Sequence, residues 1–157
     1  VKMKSRYSLN NPPRLYIAYG SNLDKLQMRY RCPTSEFWRS GFLEGWELNF
    51  KHVGMCSYAT IDRNPHSKVP VGVWKISETD ERKLDLYEGW PTHYFKTAVY
   101  VRMDDGTQVK GMVYIMNKKA KIGVPSQSYV DTICRGYRDC DLDFDYLQDA
   151  VDRCFIG

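Results

Sequence analysis

Two groups of residues in the 157-residue chain have the types and spacing to do chemistry. The first is Tyr19-Gly20-Ser21-Asn22, which ends the apolar run from Leu15 and precedes a segment with helical spacing. A Gly-Ser-Asn corner there aims several backbone N–H groups in one direction, as an anion or oxyanion site needs, although a plain turn would use the same residues. The second is Glu88, at the end of the helical segment that Ser77 opens and just before Gly89. An acid in that position faces the negative end of the helix dipole, a placement that stability alone would not choose. It is either a solvated carboxylate on a frayed turn or a functional group. Burial and the helix end would both raise its pKa toward neutrality, whereas an ordinary Glu near 4.3 is a poor base for an ammonium group. One carboxylate facing one N–H-lined corner suits acyl transfer with proton shuttling and no covalent intermediate.

Other reactive residue types offer less. Cys32, Cys56, Cys134, Cys140 and Cys154 form an odd set without a C-x-x-C pair, and His52, His66 and His93 are isolated. That pattern argues against a disulfide framework and a zinc site, so no metal is expected. A Cys-His hydrolase built from Cys56 and His52 is the remaining alternative, against the commoner role of Cys as a small core residue. Asp85, three residues before Glu88, could raise its pKa further or belong to a solvated face. Trp46, Trp74 and Trp90 read as core or pocket wall.

The elements that must position these groups are an α+β set. Residues 15–19 read as a central strand and 23–31 as a short helix, capped by Ser21 or Asn22 and ended before Pro33. Strands are expected at 41–53, 57–62 and 70–76, with the turn-like "RNPHS" of 63–67 between the last two. Ser77 caps a helix of about ten residues with acids in its first turn, and strands 94–103 and 107–116 flank a tight "DDG" turn. Helical patterns follow at 127–138 and 143–155, the second with Phe144, Leu147, Val151 and Phe155 on one face. About six strands with three to four helices make a small mixed β-barrel or a strongly curled sheet, whose mouth is the natural pocket.

Composition bounds the rest. With 43% hydrophobic and 27% charged residues, the chain reads as a soluble globular domain over 14–157 behind a polar N-terminal arm over 1–13. No apolar run approaches the roughly 20 residues of a membrane span and no signal-like segment opens the sequence, so a cytoplasmic location without membrane contact is expected. The net charge of +4 is uneven: residues 1–51 carry an excess of five positive charges and residues 131–157 an excess of four negative. These segments are expected to complement each other within the fold or across a homodimer. No dense basic stripe suggests a nucleic-acid reader, which leaves weak binding by the basic N-terminal third as a minor alternative.

Five blocks, "YIAYGSNL" (16–23), "ATIDRNPHSKVPVGVWKIS" (59–77), "LDLYEGWPTHYFK" (84–96), "VYIM" (113–116) and "VPSQSYVDTICRG" (124–136), resemble the γ-glutamylcyclotransferase family, in that order. The resemblance runs from about Arg14 to Phe155. It implies a compact barrel-like, AIG2-like α+β fold and a cofactor-free reaction on a γ-glutamyl small molecule. The free α-amine attacks its own γ-carbonyl, giving 5-oxoproline and a released amine or amino acid. By the same resemblance Glu88 is the proton acceptor, while Tyr16, Ile17, Ala18, Tyr19, Gly20, Ser21, Asn22 and Tyr129 line the substrate site. Tyr94 and Tyr114 are weaker candidates. The competing reading is a non-catalytic relative that binds a γ-glutamyl metabolite.

Overall fold

The structure, a computed structural model, describes residues 12–117 and 119–156. All but Pro12 and Pro13 of the expected N-terminal arm lie outside these. The element order is β1 (Arg14–Ala18), α1 (Lys25–Arg31), β2 (Glu36–Val53), β3 (Cys56–Ile76), α2 (Glu78–Glu88), β4 (Tyr94–Met103), β5 (Gln108–Met116), α3 (Gln127–Asp139) and α4 (Phe144–Arg153). A 3₁₀ turn, Ser21–Leu23, links β1 to α1.

The strands close into a barrel in the order β1-β3-β2-β4-β5. β1 runs antiparallel to β3 and parallel to β5, so the sheet is mixed as expected. Enclosure on both sides explains why β1 reads as a nearly unbroken apolar run rather than an alternating one. Ile17, Leu43, Phe50, Val71 and Val73 are buried in the barrel core, each stabilising the fold by roughly 1.5–3 kcal/mol relative to exposure.

The described residues form five strands, not six, because "RNPHS" is not a hairpin turn. Its residues lie within β3, opposite a break in register between Glu44 and Trp46 of β2. Gly45, with φ of +82°, forms the other side of this irregularity. Asn64 still shows turn chemistry, since its Oδ1 accepts from the His66 N–H at 3.0 Å. The bulge absorbs Pro65, which has no N–H to give a ladder, and the strand bends without reversing.

Helix ends also differ from expectation. α1 begins at Lys25, and its cap is Asp24, whose carboxylate accepts from the Leu26 and Gln27 N–H groups. Ser21 and Asn22 instead belong to the 3₁₀ turn. Ser77 caps α2 through a capping box with Asp80, as the sequence indicates. On α4, Leu147 and Ala150 are buried while Phe144 and Phe155 are exposed, so the expected apolar face is narrower. The charge asymmetry is not matched by pairing of the expected sense. Among the described residues, the ion pairs joining its two segments are Arg135 with Asp24 and Arg153 with Glu47, each from a C-terminal base to an N-terminal acid. No helix among the described residues is long and apolar enough to cross a membrane.

Candidate active site

A cavity of about 490 Å³ opens at one end of the barrel. The strand directions explain its walls: β1, β2 and β5 run toward this end, and β3 and β4 start there. Ile17 comes from β1, Val53 closes β2, Tyr58 and Ala59 open β3, Tyr94 opens β4, and Tyr114 lies on β5. The corner after β1, Gln27 and Arg31 of α1, the last turn of α2, His93 and Tyr129 of α3 also line it.

The corner is held from behind by α3. Gly136 packs so close that a Cβ there would stand 2.5 Å from Leu23 Cβ and 2.7 Å from the Asp24 nitrogen. Arg135 pairs with Asp24 at 3.3 Å, and the Lys25 N–H donates to Asp139 at 3.0 Å. In front, Leu23 N–H donates to the Gly20 carbonyl and Asp24 N–H to the Ser21 carbonyl. The N–H groups of Ser21 and Asn22 open the turn and have no partner within it, so they can receive an anion. The Asn22 side chain ties the corner to its surroundings. It donates to Tyr16 Oη at 3.0 Å and accepts from Gln27 and Arg31 at 3.1 and 3.0 Å.

Glu88 is the last residue of α2, which Gly89 ends in the left-handed region at φ of +65°. A Cβ at residue 89 would be strained there and would also meet His93 at 2.6 Å, so glycine fixes the chain reversal that aims Glu88 inward. Among the described residues the Glu88 carboxylate has neither a hydrogen bond nor an ion pair. Burial pushes its pKa up to about 7, and the Arg31 charge opposes that rise in part. Glu88 in turn raises the tyrosine hydroxyls at 16, 19, 94 and 129, for which burial is the first cause. One acid therefore faces a set of neutral phenols.

Those phenols are not equivalent. Tyr19 donates its proton to the Tyr114 carbonyl at 2.6 Å, Tyr94 to the Ala59 carbonyl at 2.9 Å, and Tyr114 to Asp85 at 2.7 Å. These three brace the frame. Tyr16 and Tyr129 instead accept, from Asn22 and from the Ala59 N–H at 3.1 Å, and so keep a proton to give to a bound molecule.

Of the residues expected at the site, Tyr16, Ile17, Tyr19, Gly20, Ser21, Asn22, Glu88, Tyr94, Tyr114 and Tyr129 come together on this cavity. Ala18 does not line it; the residue is buried in the core. Asp85 is neither solvated nor a contributor to the Glu88 shift. It pairs with Lys96 at 2.9 Å on the other side of α2. His52 Nδ1 lies 3.1 Å from Ser57 Oγ, so its partner is not Cys56, and Cys56 is exposed at the cavity edge. Trp46 and Trp74 are core, and exposed Trp90 lies under Lys96 instead of in the wall. Among the described residues no group of three His, Cys, Asp or Glu could hold a metal.

Sequence reasoning missed Gln27, Arg31, Tyr58, Tyr87 and His93 in the lining. Gln27 and Arg31 had a usable signal. They stand four apart on the helix that follows the corner, so they share its face.

Residues 68–149, just over half the chain, match the model of the AIG2-like family, and the chain belongs to it. It is 29% identical over 145 residues to the γ-glutamylcyclotransferase of Homo sapiens, covering 85% of this chain and 75% of that one. A solved γ-glutamyl cyclotransferase structure superposes with a TM-score of 0.81 at 27% identity, covering 88% of this chain and 86% of the other. YkqA from Bacillus subtilis shares the fold, with a TM-score of 0.76 at 20% identity over 92% of this chain and 55% of its own.

Proposed function

We propose that the chain is a γ-glutamylcyclotransferase, closing a γ-glutamyl group to 5-oxoproline with release of an amine or amino acid. The observation that carries this reading is the unpaired Glu88 carboxylate, its pKa raised to about 7, on the same cavity as the Gly20 to Asn22 corner. The relatives named γ-glutamylcyclotransferase support it.

The chemistry follows from pKa matching. An α-ammonium group must lose a proton before its nitrogen can attack. Raising the acceptor from an ordinary glutamate near 4.3 to a group near 7 makes that transfer easier by about 4 kcal/mol. The freed amine attacks the γ-carbonyl carbon, a five-membered ring closes, and the oxygen becomes an oxyanion that corner N–H groups can stabilise. Glu88 then returns the proton to the departing nitrogen as the old amide bond breaks and the carbonyl re-forms. The ring nitrogen, which still carries two hydrogens, gives up one through the same carboxylate, so a neutral lactam and an ammonium leave. Because nucleophile and carbonyl belong to one molecule, much of the rate comes from holding the folded-back conformer.

Every step uses groups of the substrate and of this chain, so the scheme needs no cofactor. The activity is assigned to the domain spanning 14–157, with a cytoplasmic location, and a homodimer would show as a doubled mass in light scattering. The relatives named γ-glutamylcyclotransferase favour the catalytic reading over that of a non-catalytic binding relative.

The test is 5-oxoproline release, followed by mass spectrometry, from γ-glutamyl amino acids, γ-glutamyl amines and glutathione, with Glu88→Gln in parallel. Release that depends on Glu88 supports the proposal. Full turnover by Glu88→Gln would refute the mechanism.

A further inference from the structure

Among the described residues, the cavity wall carries one permanently charged base, Arg31, the last residue of α1. Its orientation is fixed from two sides. Nη1 donates to Asn22 Oδ1 at 3.0 Å, and the guanidinium carbon stands 4.5 Å from the centroid of the Tyr87 ring. Neither neighbour is an acid, and no described carboxylate pairs with it. Arg135, Arg153 and Lys96, by contrast, each have a carboxylate partner. A guanidinium has five N–H donors, and the bond to Asn22 uses one of them. A half-buried cation held in place without an ion-pair partner among the described residues contributes little to the fold but is set up to receive a planar anion.

The substrate of the proposed reaction brings such an anion. Its α-ammonium, which must reach Glu88, and its α-carboxylate are bonded to the same carbon. A group that receives the carboxylate must therefore lie close to Glu88, and Arg31 does so: it stacks on Tyr87, the residue before Glu88 in the last turn of α2, and shares the Asn22 amide with Tyr16. We propose that Arg31 binds the α-carboxylate of the γ-glutamyl group. Arg31 and Glu88 then read the two ends of one zwitterionic head, and the corner N–H groups are left for the γ-carbonyl oxygen. Asn22 links the two parts, since the amide that braces Tyr16 also holds Arg31. This assignment rests on the cyclotransferase reading.

The experiment compares three substrates on wild type, Arg31→Lys and Arg31→Gln: γ-glutamylalanine, γ-glutamylethylamine, and γ-glutamylalanine with its glutamyl α-carboxylate converted to the carboxamide. Arg31→Gln is expected to lower kcat/KM about 10²-fold on the first two alike, mainly through KM. The carboxamide should be poor with wild type and no poorer with Arg31→Gln, because the interaction is already gone. Arg31→Lys should keep part of the affinity, and loss of the positive charge should move the acid limb of kcat/KM to higher pH. Circular dichroism checks folding, and Arg31→Lys with the same substrates carries the test if Arg31→Gln does not fold.

An equal loss on the carboxamide would overturn the assignment. So would a loss confined to γ-glutamylalanine, which would place Arg31 on the carboxylate of the leaving amino acid. Wild-type turnover with unchanged Arg31→Gln kinetics sinks the Arg31 assignment alone. No 5-oxoproline from any substrate with wild type sinks the cyclotransferase reading beneath it.

Discussion

Asp85 and Glu88 stand one turn apart on α2, yet the molecule treats them in opposite ways. Asp85 faces β4 and β5, where Lys96 lies 2.9 Å away and the Tyr114 hydroxyl donates at 2.7 Å. Glu88 faces the cavity, where no described residue bonds it and burial lifts its pKa to about 7. Both carboxylates leave bulk water, but only Asp85 has its charge compensated. Burying a carboxylate costs free energy unless it is paired or protonated, so Asp85 is held by Lys96 and Tyr114 within the fold, while Glu88 is left unpaired on the cavity with a raised pKa. The same division runs through the tyrosines: Tyr94 and Tyr114 give their protons to the frame, while Tyr16 and Tyr129 keep theirs.

The largest expected effect breaks this contrast at its reactive end. Glu88→Gln keeps the shape and removes the mobile proton, so 5-oxoproline release should fall by about 10²- to 10⁴-fold. A pH titration of stability sharpens the same point with an effect of up to about 3 kcal/mol. The unfolded glutamate releases its proton near 4.5 and the folded one near 7, so the native state binds more protons between those values. The contribution of this group to stability therefore falls as pH rises from 4.5 to 7 and stays low above that. Denaturant midpoints measured from pH 4 to 8 should show the decline in wild type and a flatter profile in Glu88→Gln. Matching slopes in the two proteins would mean that Glu88 is not held near neutrality.

Glu88 and the Gly-Ser-Asn corner were legible in the sequence because each breaks a local rule or follows one over a few residues. An acid before a C-terminal glycine and a turn after an apolar run need no knowledge of what lies across the barrel. The closure of the barrel was legible only in outline. Asn64, Pro65 and His66 have turn chemistry, and only the register against Gly45 shows that they form a bulge in a continuing strand. Asp85 was misread for a related reason. Its partners Lys96 and Tyr114 lie on β4 and β5, and no helical spacing indicates which strand face a helix will meet.

The corner offers an intermediate test, since its position depends on α3. In an isolated helix, replacing glycine by alanine would gain about 1 kcal/mol. At Gly136 the new methyl would meet Leu23 Cβ at 2.5 Å and the Asp24 nitrogen at 2.7 Å. Overpacking of this kind costs about 1–3 kcal/mol and should outweigh the propensity gain. Gly136→Ala is therefore expected to lower the denaturant midpoint and also the rate, because the backbone that must move carries the corner. A stabilised variant with unchanged turnover would show that α3 does not set the corner's position.

The smallest expected effect tests the structural carboxylate. Asp85→Asn keeps an oxygen that can accept from Tyr114 but removes the charge that faces Lys96. The Lys96 and Asp85 side chains are 20% and 17% exposed, so solvent screens the pair in part and its loss should cost about 1 kcal/mol. For a domain of this size that lowers Tm by about 2–4 °C. Turnover should suffer far less than in Glu88→Gln, because Lys96 and Asp85 lie outside the cavity and Tyr114 keeps its acceptor. A rate loss approaching that of Glu88→Gln would make the two carboxylates one functional unit. A fall in Tm with turnover largely kept would leave the proton chemistry to Glu88 and assign Asp85 to anchoring α2, the helix that presents it.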